Sequence, residues 1–137
     1  MSSPQIKICG ITSSTMLDAC IAAGATHIGL VFHARSPRHI EFDKAAALAE
    51  RANRRVMIVG LFVDPENDII DEARRQVRLD AIQLHGNERP ALVANIRSRN
   101  GIEVWKAIGI RKSEDFTAAR RHTGAADRIL YDAKPPE

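Results

Sequence analysis

Apolar residues in this chain gather in six short runs, at 5–9, 27–32, 55–63, 80–85, 102–109 and 128–131. Between the runs, apolar positions recur every three or four residues, at 14–23, 43–52, 65–77, 88–99 and 113–121. The runs have strand length and the intervening segments have helical period. Helix start signals stand where this reading needs them: Ser13 or Ser14 before the first helix, Asp43 before the second and Ser113 before the fifth. Strand ends recur every 22–31 residues, the size of a compact strand–helix unit. Near-continuous apolar strands alternating with helices predict a parallel sheet covered by helices, an α/β fold. Two architectures satisfy the rhythm: an open flavodoxin-like sheet, and a (β/α)8 TIM-barrel type cut short after its sixth strand. Six strands with polar residues at both ends favour the barrel, as one incomplete domain over residues 1–137. In either case the functional groups belong at the C-terminal ends of the strands.

Composition narrows the classes. The 137 residues are 45% hydrophobic and 27% charged, an ordinary soluble balance. The net charge is +3, but the arginines at 51, 54, 55, 74, 75 and 78 scatter over helix ends. With aromatics at 4%, nothing marks a nucleic-acid partner. Two cysteines, Cys9 and Cys20, make neither a disulfide framework nor a metal site. No stretch is long and apolar enough to span a bilayer, so a reducing cytoplasm and no membrane partner are expected.

Side-chain alternation assigns the strand faces. In the first strand Ile6 and Ile8 should face the helices, which turns Lys7 and Cys9 inward. A thiol titrates near ~8.5, and an ammonium one step down the same face favours its thiolate. Cys9 taken alone reads first as a small buried filler, as most free cysteines are. Asp132 ends the last run, where an aspartate commonly caps a turn; the Ala-Lys-Pro-Pro that follows opposes immediate helix entry. Gln83 and His85 face inward at the end of the fourth strand, His85 as a structural residue or a ligand contact. The loop after the second strand, with Arg35 and Arg38, suits a carboxylate or phosphate. Asp64, just before Pro65, reads as a helix cap. A thiol and a carboxylate at the same ends of parallel strands have the placement of a proton-transfer pair.

Lys-Ile-Cys-Gly-Ile-Thr at 7–12, Gly-Leu-Val-Phe at 29–32, Ser-Pro-Arg at 36–38 and Val-Gly-Leu-Phe-Val at 59–63 resemble phosphoribosylanthranilate isomerases. So do Gln-Leu-His-Gly at 83–86, Lys-Ala-Ile at 106–108 and Asp-Ala-Lys-Pro-Pro at 132–136. The resemblance implies a cofactor-free, metal-free Amadori rearrangement of tryptophan biosynthesis. N-(5-phosphoribosyl)anthranilate becomes 1-(2-carboxyphenylamino)-1-deoxyribulose 5-phosphate. It makes Asp132 the general acid on the furanose oxygen, Cys9 the general base at ribose C2 and Arg38 the contact to the anthranilate carboxylate. His85 and Lys7 fall beside the substrate. The acid must stay protonated near neutral pH, which burial or a neighbouring negative charge achieves.

Family members run to roughly 200 residues, and such barrels hold phosphate in the loops after strands 7 and 8. The resemblance therefore implies a chain inactive alone, with open edges on its first and sixth strands inviting self-association. One rival is a non-catalytic fragment that assembles with a complementary segment. Another is a receiver domain, which needs an acidic pair where Cys9-Gly10 stands.

Overall fold

The six apolar runs form strands and the periodic segments between them form helices, in strict alternation. The computed structural model describes residues 2–133, so the Lys134, Pro135 and Pro136 of the last motif lie outside the described residues. The order is β1 (Lys7–Cys9), α1 (Ser14–Ala22), β2 (His27–Val31), α2 (Phe42–Ala52), β3 (Met57–Phe62) and α3 (Asn67–Gln76). Then follow β4 (Ala81–Leu84), α4 (Pro90–Asn100), β5 (Glu103–Ile110), α5 (Glu114–Arg120) and β6 (Arg128–Ala133).

All ladders are parallel, and the strands lie side by side in chain order, β1 to β6. A doubly wound flavodoxin-like sheet reverses its strand order at a switch point. No reversal occurs here, and the sheet curls as a barrel wall does. Side-chain contacts across the concave face record the curl. Lys7 on β1 donates to Gln83 on β4, and Arg128 on β6 donates to Gln5 Oε1 at 2.6 Å.

Alternation divides the apolar residues between two layers. Ile28, Leu30, Ile58, Phe62, Ile82, Leu84 and Val104 pack outward under Leu17, Ala45, Leu48, Ile70, Ala73, Val93 and Ile96 of the helices. Val59, Ala81 and Trp105 form a smaller inner cluster with Leu130. Trp105 floors the concave side: its ring lies 5.5 Å from that of His27, with the Lys7 ammonium at 5.9 Å and the Arg128 guanidinium at 5.1 Å.

Register at three strand starts is pinned by a side chain from the neighbouring strand's approach. Thr26 Oγ1 accepts from Ile6 N (2.8 Å), Asp80 from Ile58 N (2.7 Å) and Asp127 from Val104 N (2.8 Å).

Some start signals act otherwise than expected. Ser13 caps α1 by accepting from Met16 N at 3.2 Å. Asp43, in contrast, lies inside the first turn of α2, whose cap position is Glu41. Ser113 occupies the cap position of α5 without a capping bond; Asp115 instead accepts from Arg111 N and Lys112 N. Ile6 and Ile8, expected beneath helices, remain 44% and 42% exposed.

Candidate functional site

At the C-terminal ends of the strands the curled sheet encloses a cleft of about 490 Å³. Its walls are the inward-facing residues of successive strands, among them Val31, Leu61, Gln83, Ala107 and Leu130. Lys7, Cys9, Arg38, His85 and Asp132, the five residues singled out from the sequence, all line this one cleft. His33, Ser36 and Tyr131 join them.

Cys9 closes β1 directly opposite Gly29 of β2, and the thiol is free. An alanine Cβ at Gly29 would stand 2.8 Å from Cys9 Sγ, so the bare backbone there makes room for the sulfur. The chain turns sharply at Gly10 (φ 83°), where a Cβ would meet the Arg38 side chain at 2.4 Å. That absence lets Arg38 lie over the turn, with Nη1 donating to Cys9 O at 2.9 Å. The turn carrying Arg38 is fixed by Ser36 Oγ, which accepts from Arg38 N.

Lys7 sits one step below Cys9 and donates to Gln83 Oε1. Burial holds its ammonium below the usual lysine range. The charges of Cys9 and Asp132 work against that shift, and Arg38 adds to it. Lys7, Cys9, Arg38 and Asp132 thus share one electrostatic neighbourhood. His85 Nε2 and Asp132 Oδ2 make a hydrogen bond of 3.1 Å across the rim from β4 to β6. Asp132 is the most open of this pair, its side chain 55% exposed.

Asp64 does not cap a helix. Its backbone adopts a left-handed conformation (φ 45°), and its carboxylate accepts from Asn87 N at 2.8 Å. It ties the loop after β3 to the loop after β4. A larger groove of about 660 Å³ lies there, between the first turns of α3 and α4. The Asp64 and Glu88 carboxylates along that groove are engaged by backbone amides. Lys106 was read only as part of a motif and Glu88 not at all, so their buried ion pair beside these loops went unforeseen. Only the Asn-Glu-Arg-Pro turn after Gly86 and a lysine inside an apolar strand hinted at it. Among the described residues no group of three or more His, Cys, Asp or Glu side chains stands ready for a metal, and no helix is long and apolar enough to cross a membrane.

A parallel βα wall with a thiol, a carboxylate and an arginine at its C-terminal rim is the architecture of a (β/α) barrel, whose ligand-facing side chains stand at that rim. Comparison with known proteins specifies the family. The sequence model of N-(5'-phosphoribosyl)anthranilate (PRA) isomerases matches residues 6–136, and the chain belongs to that family. The N-(5'-phosphoribosyl)anthranilate isomerase of Rhodospirillum centenum is 47% identical over 133 residues, which cover 97% of this chain and 62% of the relative. That of Rhizobium rhizogenes is 45% identical, over 97% and 60%. The chain thus spans about three fifths of the length of these relatives. The crystal structure of the Thermotoga maritima isomerase superposes with a TM-score of 0.90 at 34% identity, covering 98% of this chain and 64% of that one. A phosphoribosyl anthranilate isomerase in complex with reduced 1-(o-carboxyphenylamino)-1-deoxyribulose 5-phosphate superposes at 0.89 with 32% identity, over 96% and 66%.

Proposed function

We propose that the cleft performs the isomerisation of N-(5-phosphoribosyl)anthranilate, a small phosphorylated substrate, by general acid–base catalysis without cofactor or metal. The observation that carries the reading is the convergence of Cys9, Arg38 and Asp132 on one rim of a sheet belonging to this family.

In this reading Arg38 receives the anthranilate carboxylate, for which a planar guanidinium is matched. Asp132 gives its proton to the furanose ring oxygen. The C1–O bond breaks, and the anilinic nitrogen shares its electron pair with C1 as an iminium. The Cys9 thiolate then takes the proton from C2, and the C–H electrons flow toward the iminium to give the enol, which tautomerises to the ketone. Lys7 supports the thiolate electrostatically, and His85 faces Asp132 beside the ribose. A moderate base is sufficient at C2 because the adjacent iminium acidifies that position. A reducing cytoplasm, which keeps Cys9 a free thiol, suits the chemistry.

The reading takes the described residues as one barrel-type unit. Its edges β1 and β6 offer unpaired strand groups through which the chain self-associates; monomeric elution in size-exclusion chromatography would refute that part.

The test is twofold. The purified chain is titrated with the reduced product analogue, and substrate consumption is followed by loss of anthranilate fluorescence. Binding of the analogue is expected; turnover, by the chain alone or once the relatives' remaining segment is supplied, is expected to be abolished by Cys9→Ala and by Asp132→Ala while the analogue still binds. A folded chain that neither binds the analogue nor turns over substrate would overturn the assignment.

A further inference from the structure

Behind the cleft wall lies a charged pair that the proposed chemistry does not use. Lys106 is on β5, one residue beyond the inward Trp105, so its side chain points to the helix side of the sheet. Its Nζ is 3.0 Å from Glu88 Oε1, and the two side chains are 2% and 0% exposed. Two ions removed this completely from water carry a desolvation cost that hydrophobic residues of the same volume avoid. The hydrogen bonds around them show what the pair holds. Lys106 Nζ donates to Gly86 O (2.9 Å) and Ala107 O (3.0 Å). Glu88 accepts from Gly86 N (2.9 Å) and from Asp64 N (2.7 Å).

Gly86 is therefore gripped at both its N–H and its carbonyl, one residue after His85. Asp64, held in a left-handed conformation, is gripped through its N–H and braces Asn87 in turn. A Cβ at Gly86 would stand 2.6 Å from the Asp64 carboxylate, so the two loops already touch. His85 itself has one backbone tie to β3, from its N–H to Phe62 O. Beyond that bond, the pair anchors the backbone that carries its imidazole to Asp132.

We propose that Glu88 and Lys106 are positioning residues, which clamp the loops after β3 and β4 so that His85 stays in contact with Asp132. The inference rests on the reading of His85 and Asp132 as part of the working cleft, but its test needs neither substrate nor turnover. The ring Cε1–H resonance of His85, assigned with a His85→Gln variant, is recorded in the full chain at one fixed pH. In the parent, Asp132→Asn displaces that resonance, because the two side chains touch. In a Glu88→Gln background the same Asp132→Asn substitution leaves the resonance where it was, because the contact is already lost.

A displacement of equal size in both backgrounds overturns the proposal, as does a parent resonance indifferent to Asp132→Asn. Global destabilisation does not imitate the expected result, since the comparison is made between folded chains. If Glu88→Gln alone does not fold, Glu88→Gln/Lys106→Met provides the second background, in which no unpaired buried charge remains. A folded chain that neither binds the analogue nor turns over substrate overturns the isomerase reading and leaves this measurement standing.

Discussion

Replacing Gly29 by alanine separates the placement of the Cys9 thiol from its presence. The new Cβ would stand 2.8 Å from Cys9 Sγ and 3.2 Å from Cys9 Cα. Ordinary contact between such atoms is about 3.5–4.0 Å, so the sulfur must retreat by about 0.7–1.2 Å. The backbone cannot readily yield instead. Gly29 is paired with Cys9 in the β1–β2 ladder, and its carbonyl accepts from both Gly10 N (3.0 Å) and Ile11 N (3.1 Å). An overpacked site of this kind costs roughly 1–3 kcal/mol. A base displaced by ~1 Å from its target loses on the order of 10²-fold in rate. Urea unfolding and substrate turnover are to be measured for the parent, Gly29→Ala, Cys9→Ala and the double variant. Gly29→Ala is expected to lower both stability and kcat. Most of its stability cost should vanish in the Cys9→Ala background, where the sulfur is gone. If the two substitutions add within about 0.3–0.5 kcal/mol, they do not interact, and the steric argument is refuted.

Lys106→Met leaves the Glu88 carboxylate buried without its counter-ion and should cost about 3–5 kcal/mol in urea unfolding. Glu88→Gln/Lys106→Met should cost clearly less, and an equal loss in the two variants would contradict the account of the pair. Arg38→Ala should weaken the reduced product analogue by about ten- to a hundredfold, the range of a lost charge-assisted hydrogen bond at ~1.5–3 kcal/mol; unchanged affinity in a fluorescence titration removes Arg38 from the site. Burial, reinforced by Arg128 at His27 and by Lys106 at His122, holds both imidazoles below their usual range. The unfolded chain, with histidines near ~6.5, therefore takes up these protons first. Their contribution to stability is complete above about pH 6.5 and is lost as pH falls from there through the lower folded values. His122→Asn should flatten the slope of stability against pH in that window, and an unchanged slope in urea titrations refutes the assignment.

The sheet was legible because its code is binary. A parallel strand buried on both faces must be an apolar run, and its covering helix must show a 3.6-residue stripe. Strand alternation likewise placed Lys7, Cys9, Gln83 and His85 on the concave side, where the structure has them. The failures share a different cause. Asp64 was read as a helix cap, and the pairing of Glu88 with Lys106 was not read at all, because a charged residue gives no sign in sequence of the backbone amides and carbonyls it will meet. Their partners come from loops about twenty residues apart, brought together only by the β3–β4 and β4–β5 ladders. Asp43 was misread for a milder reason: cap position depends on where the chain turns, and polar residues crowd the start of that helix. Ile6 and Ile8 followed the apolar code, yet the described helices leave them open to solvent.

Trp105 is the only tryptophan in the chain. It lies in the inner layer beneath the cleft, near the Lys7 and Arg128 cations, with its indole N–H donating to Glu103. Every photon of indole emission from this protein therefore originates at one point in that layer. Lys7, whose ammonium lies 5.9 Å from the indole ring, also touches Gln83 and feels Cys9, Arg38 and Asp132. Rearrangement of charge at the rim is thus relayed to a built-in optical probe, and no label needs to be attached to observe it.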